Sequence, residues 1–234
     1  MEYDTIKYRG FNINIEYDQD PENPRTAWYE PITTMVCWHN RHSLGDSHKY
    51  FDPIDLFWYL VLDINQKYGD ILDDTITSTD YVNSILSNII KNHYHILPLY
   101  LYDHSGITMS TGTFSCLWDS GQVGYIYISK KNAEKEWPDK TEKDFLEYLE
   151  SDVEVYDNFL TGQVYGYTID SVDWNKITCD GSCWGYYGDE GIKQLTAEAK
   201  QEIDYAIEQY KKEKIRDHEQ KLIISKFMRE CWSL

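Results

Sequence analysis

Long apolar runs are missing from this chain. The longest, Leu56–Leu62, falls far short of the ~20 residues that a membrane-spanning helix needs. The opening MEYDTIKYRG has neither the basic nor the apolar region of a signal peptide. Cysteine is sparse and odd in number: Cys37, Cys116, Cys179, Cys183 and Cys231 suggest no disulfide framework. Together these features read as a reduced, cytoplasmic protein with no membrane partner. No phosphate loop, dinucleotide fingerprint, zincin helix or EF-hand loop occurs, so no cofactor is expected. Internal repeats and low-complexity tracts are absent as well.

Cations are few. The chain carries 22 Lys and Arg against 40 Asp and Glu, a net charge of −18. An acidic field repels phosphate backbones, which works against direct nucleic-acid binding and favours a basic partner, a cation, or mimicry of a polyanion. The charge is unevenly placed. Residues 193–234 hold eight acidic and nine basic residues, leaving −19 on residues 1–192. Within that body, Thr141–Asp157 (TEKDFLEYLESDVEVYD) has seven acids and one lysine. Glu142, Asp144, Glu147, Glu150, Asp152, Glu154 and Asp157 are therefore the expected partner-binding face. Aromatics are abundant, with 21 Tyr and 8 Trp, and suit both sheet packing and a contact surface.

Hydrophobic periodicity divides the chain into strands and helices. Residues 6–17 alternate, with Phe11, Ile13, Ile15 and Tyr17 on one face of a strand that Gly10 bends. Ile32–His39 reads as a strand, followed by a polar loop over Asn40–Lys49. Asp52 and Pro53 open a helix with Ile54, Phe57, Val61 and Ile64 inward, ending near Gly69. A second helix is expected over Tyr81–Lys91, then strands at Ile96–Tyr102 and Val123–Ser129. Thr141–Asp144 has the capping-box pattern and opens a helix to about Phe159, which Gly162 terminates. Gln163–Val172, Trp174–Thr178 and Cys183–Tyr187 read as antiparallel strands, and Thr196 opens a long helix toward Cys231. This order predicts an α+β fold: a mainly antiparallel sheet with flanking helices, one body over 1–192, and a helical extension over 193–234.

Four segments could carry chemistry: Leu101–Gly106, Trp118–Gly124, Leu160–Gly166 and Cys183–Asp189. Each sets a glycine-containing turn beside a strand, where Asp, His or Ser can project from a sheet edge. Asp103, His104 and Asp119 could form an acid/base constellation, although neighbours on a strand point to opposite faces. Ser105 and Ser120 lack a nucleophile elbow. Cys37, His39, His42 and His48 share one region, but their spacings match no recognised zinc site. Cys179 and Cys183 have the spacing of a zinc clip without a second pair nearby, leaving Cys37 or Cys116 to complete it from a distance. No metal is expected.

The runs LYLYDHSGITMST (Leu99–Thr111), WDSGQVGYIYISKK (Trp118–Lys131), FLTGQVYGYTI (Phe159–Ile169) and SCWGYYGD (Ser182–Asp189) resemble a group of uncharacterised proteins carried by bacteriophages and conjugative elements. The likeness spans roughly Thr33–Asp189 and brings no catalytic role with it. What it implies is a setting inside a bacterial host. Acidic proteins of such elements often inhibit host defence, anti-CRISPR and antirestriction proteins among them, by placing carboxylates on a phosphate-binding surface. The expected function is accordingly that of an acidic, non-enzymatic inhibitor of a host nucleic-acid-handling defence complex. The alternative is a hydrolase of a nucleotide or nucleic acid using Asp103, His104 and Asp119. The nearly neutral C-terminal helix is the segment expected to form a homodimer.

Overall fold

The computed structural model describes residues 2–27, 31–64, 87–172, 177, 179 and 181–232, without the side chains of 229–232. Two four-stranded antiparallel sheets and five helices make up the described residues, an α+β fold. The chain divides into two units: one pairs Met1–Pro21 with Gly162–Leu234, and the other is Glu22–Thr161. The boundary differs from the expected one at 192/193. Leu195, Ala199, Ile203 and Ile207 of the C-terminal helix are core residues of the discontinuous unit, so half of that helix is no extension.

In the discontinuous unit, β1 (Glu2–Tyr8) and β2 (Phe11–Tyr17) replace the single bent strand expected over 6–17. Arg9 and Gly10 both adopt positive φ, at 48° and 83°, which is what a two-residue hairpin loop of the type I′ class requires. The sheet continues through β7 (Val164–Ser171) to β8 (Ser182–Tyr187) in the order β1-β2-β7-β8. Alternation sends Phe11, Ile13 and Ile15 inward, as the sequence predicted, against the first half of the C-terminal helix (Gly188–Trp232). That helix starts eight residues before Thr196, because Asp189 and Glu190 supply the acidic first turn that a helix N-terminus favours. The strand expected at Trp174–Thr178 lies outside the described residues, Ile177 excepted. From Lys211 to Ile224 every residue of the helix is exposed, with Ile215, Leu222, Ile223, Ile224, Phe227 and Met228 uncovered.

The second unit is a sheet covered on both faces. Its strands are β3 (Thr34–Cys37), β4 (Tyr94–Asp103), β5 (Ile107–Ser110) and β6 (Ser120–Ser129), ordered β3-β6-β4-β5. Met35 and Cys37 face one core while Val36 faces another, so three consecutive residues are buried and strict polar alternation disappears. Helix α1 (Pro53–Ile64) covers one face through Leu56, Leu60 and Val61; of the expected inward residues Val61 is buried and Phe57 and Ile64 pack against the same core, while Leu56 and Leu60 were not among them. The helix α2 over 87–93 adds Ile90; most of the helix expected from Tyr81 precedes the residues described. Helices α3 (Lys130–Glu136) and α4 (Glu142–Leu160) cover the other face. The C-terminal helix is thus α5. No helix among the described residues is long and apolar enough to cross a membrane.

Helix α4 follows its sequence signals closely. Thr141 caps it, accepting the Asp144 N–H while the Asp144 carboxylate accepts the Thr141 N–H. Phe145, Leu149, Val153 and Tyr156 recur on one face and are buried. Gly162, just past the end, takes φ 72°. Several of the tyrosines, among them Tyr94, Tyr127, Tyr156, Tyr165, Tyr167 and Tyr186, are core residues.

A buried ion cluster ties the loops of this unit to α4. The Arg25 side chain has no solvent exposure. Its Nε and one terminal nitrogen donate to Asp46 at 2.9 and 2.7 Å. The other terminal nitrogen donates to Asp152 at 2.8 Å and to Thr33 Oγ1 at 3.1 Å, and the Thr33 carbonyl accepts a further bond at 2.9 Å. Burial works against the guanidinium charge, but the two carboxylates outweigh it and raise the Arg25 pKa further. Removing one member of such a cluster strands the others. Arg25→Met should lose about 3–5 kcal/mol in urea unfolding, because Asp46 and Asp152 stay behind without their cation. Arg25→Lys should also destabilise, since an ammonium cannot make the paired contact with Asp46.

His95 is buried in the same unit, its ring stacked 4.9 Å from Phe145 and its Nδ1 without a hydrogen-bond partner. Burial, with the nearby Lys130 charge, lowers its pKa. The unfolded chain therefore binds this proton more readily, and the stability conferred by neutral His95 is lost as pH falls below its ordinary value of about 6.5. His95→Phe keeps the stacking and should flatten that acid limb, measured as Tm against pH alongside the wild type.

Candidate functional site

The β3–α1 loop and the end of β4 bring titratable side chains together. Several bonds hold the loop against the sheet. Trp38 N–H donates to Val123 O at 2.7 Å, Asp46 N–H to Met35 O at 2.7 Å, and Gly45 N–H to the Tyr156 hydroxyl at 2.9 Å. Asp46 also receives Arg25. Asp103 closes the β4 ladder opposite Ile107, and its N–H donates to Asp119 O at 2.8 Å. Both sides of the site are thus fixed by the backbone.

Asp103 Oδ2 is the focus of three nitrogens: Arg41 at 2.5 Å, His42 Nε2 at 3.5 Å and His39 Nε2 at 3.7 Å. The two imidazoles stack 5.1 Å apart with an interplanar angle of 15°. Backbone N–H groups of Arg41 and His42 point at His39 Nδ1, at 3.3 and 3.2 Å. With its Nδ1 accepting, a neutral His39 carries its proton on Nε2, facing Asp103. The histidines border an open cavity of about 430 Å³, also lined by Asn40, Arg41, Ser43 and His48. His48 stands apart: its Nε2 bonds to Cys37 O at 2.8 Å, and its ring packs on Trp38 and Tyr50. Burial pushes the Cys37 thiol up to about 12, which makes it a poor nucleophile.

The trio Asp103, His104 and Asp119 is not assembled. The carboxylate of Asp103 is taken by Arg41 and the loop histidines, while His104 Nδ1 lies 3.4 Å from Asp119 Oδ2. Three residues, His104–Gly106, form the β4–β5 turn, with Ser105 at φ 54°. Among the described residues, His39, His42 and Asp103 are the one set of His, Cys, Asp or Glu whose ligating atoms all lie within 4.8 Å of one another. Sequence spacing grouped His39 and His42 with His48 and Cys37 and matched no zinc site, because Asp103 arrives from a strand some 60 residues away. Two glycines of the singled-out segments serve close packing: a Cβ on Gly166 would lie 2.1 Å from the Trp184 ring and one on Gly124 2.0 Å from the Val36 carbonyl oxygen, whereas Gly106, Gly121, Gly162 and Gly185 face open space.

The expected acidic face divides in two. Helical geometry turns seven carboxylates spread over sixteen residues all around the axis. Asp152 faces inward to Arg25 and Thr33. Asp157 also points inward, accepting from Thr108 Oγ1 at 2.8 Å and Met109 N–H at 2.6 Å; burial raises its pKa despite these bonds. These two belong to the fold rather than to a contact surface. Asp144 is held in the capping box, and Glu142 pairs with Lys130 at 3.4 Å. Glu147, Glu150 and Glu154 remain exposed as a stripe, Glu147 paired with Lys143 at 3.1 Å. Glu147, Asp144 and Lys140 also border a cavity of about 300 Å³ whose aromatic walls are Trp137, Phe145 and Tyr148. The Trp137 and Tyr148 ring centroids are 5.0 Å apart there.

Comparison of the chain with models of protein families, with curated protein sequences and with solved structures found no match in any of the three.

Proposed function

We propose that this chain is an acidic binding protein of a mobile genetic element that inhibits a host nucleic-acid-handling defence complex, of the restriction or CRISPR kind, by occupying its basic groove. The observation that carries this reading is the exposed stripe Glu147, Glu150 and Glu154, with Glu147 bordering an aromatic cavity that Asp144 and Lys140 also line. An incoming Arg or Lys would meet aromatic faces that attract a cation, and would take the Glu147 carboxylate from its exposed partner Lys143. Carboxylates along the stripe would then stand where the groove ordinarily meets phosphates, and the −18 net charge would speed the encounter. The resemblance to phage and conjugative-element proteins supplies the setting. A hydrolytic reading has less behind it, since the Asp103 carboxylate is taken by Arg41 and only His104 and Asp119 pair.

Affinity capture of the tagged chain from a defence-proficient bacterium should recover a basic nuclease complex. The purified complex should then bind wild type markedly more weakly at about 1 M salt than at about 0.1 M. Neutralising the stripe as E147Q/E150Q/E154Q should weaken binding by at least about tenfold and flatten the salt dependence, and Trp137→Ala should weaken it without changing that dependence. Salt-insensitive binding, or full affinity in the triple variant, would discard polyanion mimicry.

The same reading includes self-association through the exposed half of α5. The acidic remainder of one copy repels that of another, whereas residues 193–234 carry a net charge near zero and expose Leu222, Ile223, Ile224 and Phe227. Sedimentation should show a dimer that L222E/F227E converts to monomer.

A further inference from the structure

We propose that His39, His42 and Asp103 bind one divalent transition-metal ion of the zinc class, a site separate from the acidic face of α4. The donor set is two imidazole nitrogens and one carboxylate oxygen, which is the composition of three-ligand zinc sites that leave a fourth position for water or another ligand. Zinc holds such ligands at about 2.0–2.1 Å, so neighbouring ligand atoms in a tetrahedron sit about 3.3 Å apart. Here the two histidine nitrogens lie 3.5 and 3.7 Å from Asp103 Oδ2, and all three atoms fall within 4.8 Å of one another. Closing the set needs a contraction of a few tenths of an ångström on the Asp103 edges, and more between the histidines. The nearly parallel rings present both Nε2 atoms to the same oxygen. The cavity of about 430 Å³ lined by both histidines provides access and room for the fourth ligand.

Burial suits an ion site as well. The side chains of His39 and Asp103 are 17% and 18% exposed, and that of His42 is 37% exposed, so solvent reaches the ligands from one side. Because the loop is pinned through Trp38, Gly45 and Asp46, and Asp103 sits in a ladder, little chain ordering opposes binding. Among the described residues no thiol sulfur joins His39, His42 and Asp103 within 4.8 Å, so the set is one of nitrogen and oxygen donors.

In the metal-free arrangement two features hold the ion's place, and both must yield. Arg41 is the present cation on Asp103 Oδ2, and its side chain is 70% exposed, so it can swing into solvent without uncovering a core. His39 bears its proton on Nε2 because Nδ1 accepts two backbone N–H groups. Coordination through Nε2 moves that proton to Nδ1 by way of solvent, with no net gain or loss for the neutral ring. The two long amide bonds are given up in exchange for the metal bond. The ion and the Arg41 guanidinium therefore compete for one oxygen, and this competition distinguishes a metal site from a cluster of polar loop residues.

The full chain, stripped with a chelator, is titrated with Zn2+ by equilibrium dialysis and with Co2+ by absorption spectroscopy. One Zn2+ per chain is expected, with Co2+ giving the visible bands of a four-coordinate N/O site and no thiolate charge-transfer band. H42Q and D103N should each weaken binding by at least about tenfold, and R41A should tighten it; thermal melts of each variant confirm folding. A thiolate band would move the ion to the cysteines and overturn the proposal. So would the absence of saturable binding, equal affinity in wild type and D103N, or unchanged or weaker affinity in R41A.

Discussion

Arg25 has all five of its N–H groups engaged while its side chain is wholly withdrawn from water. Few arrangements are so demanding, since a buried guanidinium is tolerated only when its partners are charged and every donor is satisfied. Those partners come from far apart in the sequence: Thr33 before β3, Asp46 in the loop after it, and Asp152 in the middle of α4. Asp46 in turn accepts the Met35 N–H at 2.7 Å, so the cluster is continuous with the edge of the sheet. Through these bonds one residue settles where the β3–α1 loop lies against α4, and that loop carries His39, Arg41 and His42. The candidate ion site depends on a charge that never meets solvent.

The same constraint reshapes the acidity of the chain. A count of carboxylates in Thr141–Asp157 suggests one negative face, but helix α4 has to satisfy its own unit first. Asp152 neutralises Arg25, Asp157 receives an edge donor from β5, and Asp144 closes the helix N-terminus. Glu150 and Glu154 stay clear of such duties, while Glu147 pairs with the exposed Lys143 and borders the aromatic walls of Trp137 and Tyr148. The surface that remains is narrower than composition implied. It is also better suited to a partner, because it combines carboxylates with apolar area.

Wherever a local rule governs the outcome, the sequence was legible. The capping box at Thr141, the proline at Pro53, the glycine after α4 and the alternation of Phe11, Ile13 and Ile15 each depend on neighbours within a few residues, and each appears as read. Misreadings arise where distant chain decides. The run 6–17 alternates through a hairpin, so periodicity alone concealed the turn at Arg9 and Gly10. Short β5 has too few residues for a periodic signal, and its existence rests on pairing with β4. The buried face of α1 reaches beyond the expected Phe57, Val61 and Ile64 to Leu56 and Leu60, because its width is set by the sheet it covers.

Sequence by itself determined the α+β class, the start of α1, both ends of α4, the alternating strands and the excess of negative charge, all of which follow from composition and short-range chemistry. Tertiary structure alone decided which charges are spent inside the fold and which face outward. It decided, too, that Asp103 belongs with His39 and His42 rather than with its neighbour His104 and with Asp119. The physical reason is that side-chain encounters across a sheet edge depend on strand register and loop anchoring. Both are set by long-range hydrogen bonds that no local pattern encodes.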